Sequence, residues 1–324
     1  MTAGNKKLIS YSIKAAILVL TAYFIYHQVL KKGPDIARFE ELLRHIGSRQ
    51  VTIVMSLVFL LMLINWLLEA MKWQYLTRNL ERISFWKSIE CVFCGLTWAI
   101  FTPNRLGEYG GRVMFLAPRK RVYGAFAMTI GQFGQNVITN VMGTIGILWF
   151  TGRFLHCNVW ILIGLVILGL AYMTVFLVCF FNIKWLVFLL NKIQFLQRYH
   201  RFFDVIGRYK FDELHRIILF CLARFMAFSC QYYILINMFI PALPAHHILL
   251  LTFIVFFIQS ALPSLDLIDV AVRSATAATV FSYVTSQTIA VIAVFSTIWF
   301  INLVIPAILG IAFNLKVNFF GRNT

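Results

Sequence analysis

The chain is predicted to be all-α: a polytopic helical membrane protein with about six full crossings and two re-entrant helical hairpins, arranged as an inverted repeat. Three observations predict this. Hydrophobic residues make up 60% of the 324 and charged residues 13%, with a mean hydropathy of +0.81; a soluble domain is far less apolar and about twice as charged. From Ile217 to Leu315 the only charges are Arg224, Asp266, Asp269 and Arg273. Two short polar motifs in opposite halves, each following a short apolar stretch, share one pattern: Pro103…Leu106-Gly107-Glu108…Arg112 and Pro263…Leu267-Ile268-Asp269…Arg273.

A crossing needs roughly 20 apolar residues. Stretches of this kind are Tyr11–Leu30, Val51–Leu68, Val122–Phe150, Val159–Phe181, Ile217–Ile240 and Gln287–Leu315. Lys6, Lys7 and Lys14 mark the first as a retained helix and not a cleavable signal. Asp35–Ile46 places Ile36, Phe39, Leu42, Leu43 and Ile46 at helical spacing before Gly47, which predicts a helix lying on the outer surface. Trp86–Phe101 and His247–Leu262 are too short to cross and run straight into the two motifs. Each is predicted to enter the bilayer, turn at its Pro, and return as a second half-helix. Irregular backbone at that depth requires a protein or water-lined setting. Lys184–Tyr209 mixes Trp185, Phe188, Phe195, Phe202 and Phe203 with Lys192, Arg198, Arg201 and Arg208, the make-up of a helix on an anionic inner leaflet.

The net charge of +17 sits in short segments between apolar spans. This fits membrane orientation and anionic lipid, and no nucleic-acid partner is expected. With the N- and C-termini cytoplasmic, 21 of the 29 Lys and Arg fall on the inner side and six on the outer, leaving Arg224 and Arg273 in the membrane. The expected location is the bacterial cytoplasmic (inner) membrane. Three crossings per half invert the second half relative to the first. The offset from Glu108 to Asp269 is 161 residues, as is that from Arg112 to Arg273. The chain then reads as one membrane domain, 1–324, with half-repeats 1–157 and 158–324. Transporters with inverted repeats hold their sites near the midplane between broken helices.

Glu108 and Arg112 are four residues apart, as are Asp269 and Arg273, so on a half-helix each pair shares a face and can neutralise itself. One reading makes them buried tethers that close the hairpins. The other makes Arg105, Glu108, Arg112, Asp266, Asp269 and Arg273 a substrate-binding set, because an arginine's planar fork matches phosphate. Pro103 and Pro263 suit the starts of the returning half-helices. Gly107, Gly110 and Gly111 let a backbone or a headgroup come close. Arg105 and the Arg119-Lys120-Arg121 run would draw anionic headgroups to the inner mouth, or simply anchor topology. Gln132, Gln135, Asn136 and Asn140 form a polar stripe for helix–helix hydrogen bonding or for lining a cavity. Cys91-x-x-Cys94 has no second pair, so packing is expected there and no metal. No cofactor is implied. His246 and His247 are expected on opposite sides of their helix.

These motifs resemble the lysylphosphatidylglycerol synthase transmembrane-region family of flippase-like membrane proteins. By span count and motif order the resemblance covers most of the chain. It implies movement of a phospholipid or lipid-linked precursor between leaflets, with an anionic phospholipid headgroup as partner and self-association into a homo-oligomer left open. The family's synthases make lysyl lipid with a separate C-terminal cytosolic domain. The sequence stops at Thr324, so that chemistry is not expected. Without a Gly-x-x-x-x-Gly-Lys-Ser/Thr loop, a gradient is the expected energy source. An intramembrane lipid-headgroup hydrolase or transferase using Glu108, Asp266 and Asp269 is one alternative, although no specific catalytic cluster supports an enzyme. A small-solute carrier is another.

Overall fold

The computed structural model describes residues 47–100, 102, 105–155, 158–192, 206–262 and 266–314. The expected helices Tyr11–Leu30 and Asp35–Ile46, both prolines of the repeated motifs, and much of the Lys184–Tyr209 segment lie outside these residues.

The described chain is helical: α1 (Ser48–Thr77), α2 (Phe85–Ala99), α3 (Leu106–Val113), α4 (Arg121–Phe154), α5 (Val159–Phe181), α6 (Ile183–Lys192), α7 (Phe211–Phe239), α8 (Ala245–Ala261), α9 (Asp266–Phe281), α10 (Thr288–Trp299) and α11 (Ile305–Asn314). A π-turn, Phe300–Val304, makes α10 and α11 one continuous rod. Four helices are long and apolar enough to cross a membrane: α1, α5, α7 and the α10–α11 rod. Helix α4 is longer, 34 residues or roughly 50 Å, but its polar stripe lowers its hydropathy.

Local chemistry sets the helix ends. Ser84 Oγ accepts the Lys87 N–H at 3.2 Å to start α2, and Asn158 Oδ1 accepts the Trp160 N–H at 3.1 Å to start α5. The Lys210 N–H donates to Glu213 Oε2 at 2.8 Å at the start of α7. In the α10–α11 rod, Pro306 lacks an N–H, and its ring crowds the carbonyl four residues back, that of Asn302. The π-turn at Phe300–Val304 widens the helix at this point.

Helix α1 packs along α7, α8 along α4, and α11 along α2. The short helices α2 and α8 therefore each rest on a long helix distant in sequence. Helices α1 to α4 start at 48, 85, 106 and 121, and α7 to α10 at 211, 245, 266 and 288, separations of 163, 160, 160 and 167 residues. At one end, Arg78 pairs with Glu213, and the Tyr209 hydroxyl donates to the Leu76 carbonyl at 2.7 Å. Burial pushes that phenol well above its ordinary pKa. Helix α5 lies outermost: only Gly169 and Phe180 are buried, and Trp160 is 80% exposed, as expected of a helix facing lipid.

At the other end, the His246 and His247 rings lie 4.4 Å apart and both pack on Trp149. The expectation of opposite faces was wrong. Consecutive helical residues differ by about 100°, not by a half-turn.

Candidate functional site: a cavity between the two motifs

The first motif forms a tight antiparallel hairpin. A Cβ on Gly107 would lie 2.2 Å from the Trp98 carbonyl oxygen, and one on Gly111 would lie 2.6 Å from Gly95 Cα. Only glycine permits that approach of α3 to α2. The approach is therefore made by backbone, not by a headgroup. At Gly110 a Cβ would meet only the Trp98 ring, at 3.5 Å. The turn into α3 carries Arg105 at φ 57°, the only positive-φ residue other than glycine among the described residues.

The hairpin and the end of α1 bury charges against each other. Glu69, Lys72 and Arg112 are each 1% exposed and Glu108 3%. Arg112 bridges two carboxylates: its Nη1 donates to Glu69 Oε1 at 2.5 Å, and its Nη2 donates to Glu108 Oε1. Lys72 Nζ lies 2.8 Å from Glu69 Oε2, which also accepts from Arg224 Nη1. Arg105 Nε sits 3.1 Å from Glu108 Oε2. Two carboxylates thus face four cations, a surplus of two positive charges among the described side chains. The i,i+4 pairing of Glu108 with Arg112 is as expected. Glu69 and Lys72 went unrecognised, and Arg224 was placed in the membrane without a role in the site. The signal was there: Asn65, Glu69 and Lys72 are spaced four and three residues apart, along one helix face. The inner-side charge count also changes, because Lys72 and Arg112 lie inside the bundle. Their neighbouring carboxylates permit this.

Beside this cluster opens a cavity of about 620 Å³, a size typical of ligand sites. Arg105 and Glu108 reach it from the first motif and Arg273 from the second, and Arg224 enters from α7. Arg112 does not line it. Arg112, expected in the substrate-binding set, lies behind Glu108, and the arginines that line the cavity are Arg105, Arg224 and Arg273. Asp266 and Asp269 lie on α9, but their side chains are outside those described.

The polar stripe of α4 divides. Gln132, Gln135 and Asn136, joined by Thr139, face the cavity. Asn140 turns to helix pairing and accepts the Tyr172 hydroxyl at 2.7 Å. Trp66, Phe225, Phe228, Phe256 and Trp299 line it as well, so polar and aromatic side chains share the lining. The rim includes Leu262, 46% exposed. Arg121 turns away from this rim and donates to the Met114 and Leu116 carbonyls after α3. Cys94 Sγ lies 3.1 Å from Asn314 Oδ1, a packing contact between α2 and α11. Among the described residues, no three His, Cys, Asp or Glu side chains gather as metal ligands.

Comparison with protein-family models, with curated proteins and with solved structures finds no match to this chain.

Proposed function

We propose that this protein is a flippase-like transporter that moves an anionic phospholipid or a lipid-linked precursor between leaflets. The observation that carries the reading is a single cavity reached by both repeated motifs, lined by three arginines, one already-paired carboxylate and a set of aromatic side chains. A cationic surplus in an apolar bundle is costly until an anion enters. A phosphate matches an arginine fork, and the aromatic side chains and apolar rim suit acyl chains.

In this reading α2–α3 and α8–α9 are re-entrant hairpins of an inverted repeat, related by the 161-residue motif offset and by the exchanged packing of α2 on α11 and α8 on α4. Both termini are cytoplasmic. Arg105 and Arg273 contact the headgroup. Glu108, Asp266 and Asp269 balance its charge, and Arg112 fixes Glu108. The resemblance noted in the sequence agrees with this assignment.

The test is leaflet exchange in vesicles holding the purified chain, read as access of an impermeant reductant to a fluorescent phosphatidylglycerol. Protein-bearing vesicles are expected to expose the inner-leaflet pool, and Arg273→Ala to slow the exchange about tenfold or more, the scale of one charge-assisted hydrogen bond. Equal exchange in protein-free vesicles overturns the proposal. Turnover of lipid to product in detergent, where no second leaflet exists, would replace it with an intramembrane enzyme.

A further inference from the structure

Resting on the transporter reading, we propose that the cavity selects a phosphorylated polyol: a phosphate whose substituent bears several free hydroxyls, such as glycerol, inositol or a sugar, in preference to a bare phosphate monoester or a choline. The arginines account for the phosphate. The remaining polar lining is built for something else.

Six carboxamides line the cavity: Asn65, Gln132, Gln135, Asn136, Gln259 and Asn302. Some of their capacity is used internally. Asn65 Oδ1 accepts from Arg224 Nε at 3.1 Å, and Gln135 Oε1 accepts from Arg224 Nη1 at 3.4 Å. Asn302 Nδ2 donates to Gln231 Oε1 at 3.1 Å and to the Ile298 carbonyl at 3.0 Å. Three wall residues keep a buried polar atom without a hydrogen-bond partner: Asn302 Oδ1, Gln259 Nε2 and Trp66 Nε1. They belong to residues from three parts of the bundle, the π-turn, α8 and α1, all of which line the one cavity. Asn302 is 6% exposed and Trp66 4%. Unpartnered groups at that depth call for a ligand that supplies the missing bonds.

The three atoms are one acceptor and two donors. A phosphate oxygen only accepts, so it leaves Asn302 Oδ1 unmet. An ammonium only donates, so it leaves Gln259 and Trp66 unmet and stands among three arginines. A quaternary ammonium makes no hydrogen bond at all. A hydroxyl donates once and accepts twice, so a group that carries several can satisfy both the acceptor and the donors. Carboxamides, with donors and acceptors side by side, extend the match along α4.

The test is competition for the purified full chain in detergent against a fluorescent phosphatidylglycerol. The competitors are lipids with identical dioleoyl tails: phosphatidylinositol, phosphatidylglycerol, phosphatidic acid and phosphatidylcholine. The two polyol lipids are expected to compete about fivefold or more better than phosphatidic acid, the ratio one neutral hydrogen bond supplies. Gln259→Leu and Asn302→Leu are expected to bring that ratio toward one. Two positions on different helices keep the test valid if one variant misfolds, which the elution volume reports. Phosphatidic acid competing as well as the polyol lipids overturns this inference alone. The absence of competition by any anionic lipid overturns the transporter reading and the inference with it. Free glycerol phosphate is the last arm: no displacement supports recognition within a lipid, and displacement matching the lipid supports the polyol phosphate chemistry but overturns the lipid reading.

Discussion

The two motifs share a pattern and are folded to opposite ends. In the first, α3 lies hard against α2 through Gly95, Gly107 and Gly111. At the same positions 161 residues later stand Phe256, Ile268 and Val272. The second motif lacks the glycines through which the first one closes, and Phe256 lines the cavity. The counter-charge differs as well: Glu69, which holds Arg112, has Cys230 as its counterpart. The first motif therefore buries its arginine as a tether, and the second presents its arginine to the cavity. Repetition of a motif does not carry over the role of its residues. The surroundings supplied by other helices decide it.

The sharpest way to break this contrast is at Glu69. Glu69→Gln leaves Lys72, Arg112 and Arg224 facing a neutral amide. Loss of one partner of a buried charge network costs about 3–5 kcal/mol, so the variant is expected to lose its single elution peak in detergent. Cys230→Ala, at the equivalent half-buried position, is expected to cost about 1 kcal/mol or less. Equal effects would show that the charge cluster does not hold the first hairpin.

The arginines sharpen the comparison. Arg112 uses two nitrogens of its fork for two different carboxylates. A lysine cannot make both bonds in that geometry. Arg112→Lys is expected to destabilise the fold by about 1.5–3 kcal/mol, one charged hydrogen bond, seen as a lower melting temperature in detergent. Arg273→Lys is expected to leave the melting temperature close to wild type and slow lipid exchange. A reversed outcome would exchange the roles of the two motifs.

The glycines give a smaller effect. Gly111→Val brings in the residue of the second motif where a Cβ has Gly95 Cα at 2.6 Å. Overpacking of this kind costs about 1–3 kcal/mol. The converse exchange, Val272→Gly, is expected to cost only the helix-propensity difference of roughly 0.5 kcal/mol. Thermal unfolding of the pair reports whether closeness is needed in one half only.

Much of this was legible in advance, for physical reasons. Long apolar runs have few ways to fold in lipid, so α1, α5, α7 and the α10–α11 rod follow from hydropathy. The repeated Pro…Leu-x-acid…Arg pattern located two groups that reach one cavity. Glu69 and Lys72 were hidden because a hydropathy window falls where charge begins, which placed the end of α1 at Leu68 and put its last turns in a loop. Their partners lie 43 residues away in Arg112 and 155 away in Arg224. No local window holds that information. Asn302 faces the cavity across a π-turn that a regular period does not anticipate, though Pro306 four residues on was its trace.

Arg105 is the smallest lever and separates stability from function. Its backbone is left-handed at φ 57°, a conformation that costs about 1 kcal/mol or more in residues other than glycine. Arg105→Gly relieves that cost. The variant also loses the contact with Glu108, but the Arg105 side chain is 39% exposed, and such solvent-reached pairs contribute about 0–1 kcal/mol. The two changes oppose each other, so the melting temperature is expected to stay nearly constant. Lipid exchange is expected to fall, because the cavity loses one of its three arginines, and to fall further as salt screens the remainder. Arg105→Lys keeps the charge and the strained backbone, and is expected to exchange lipid faster than Arg105→Gly while melting no higher. If Arg105→Gly instead exchanges lipid at the wild-type rate, the rim charge plays no part, and only Arg224 and Arg273 remain to meet the anion.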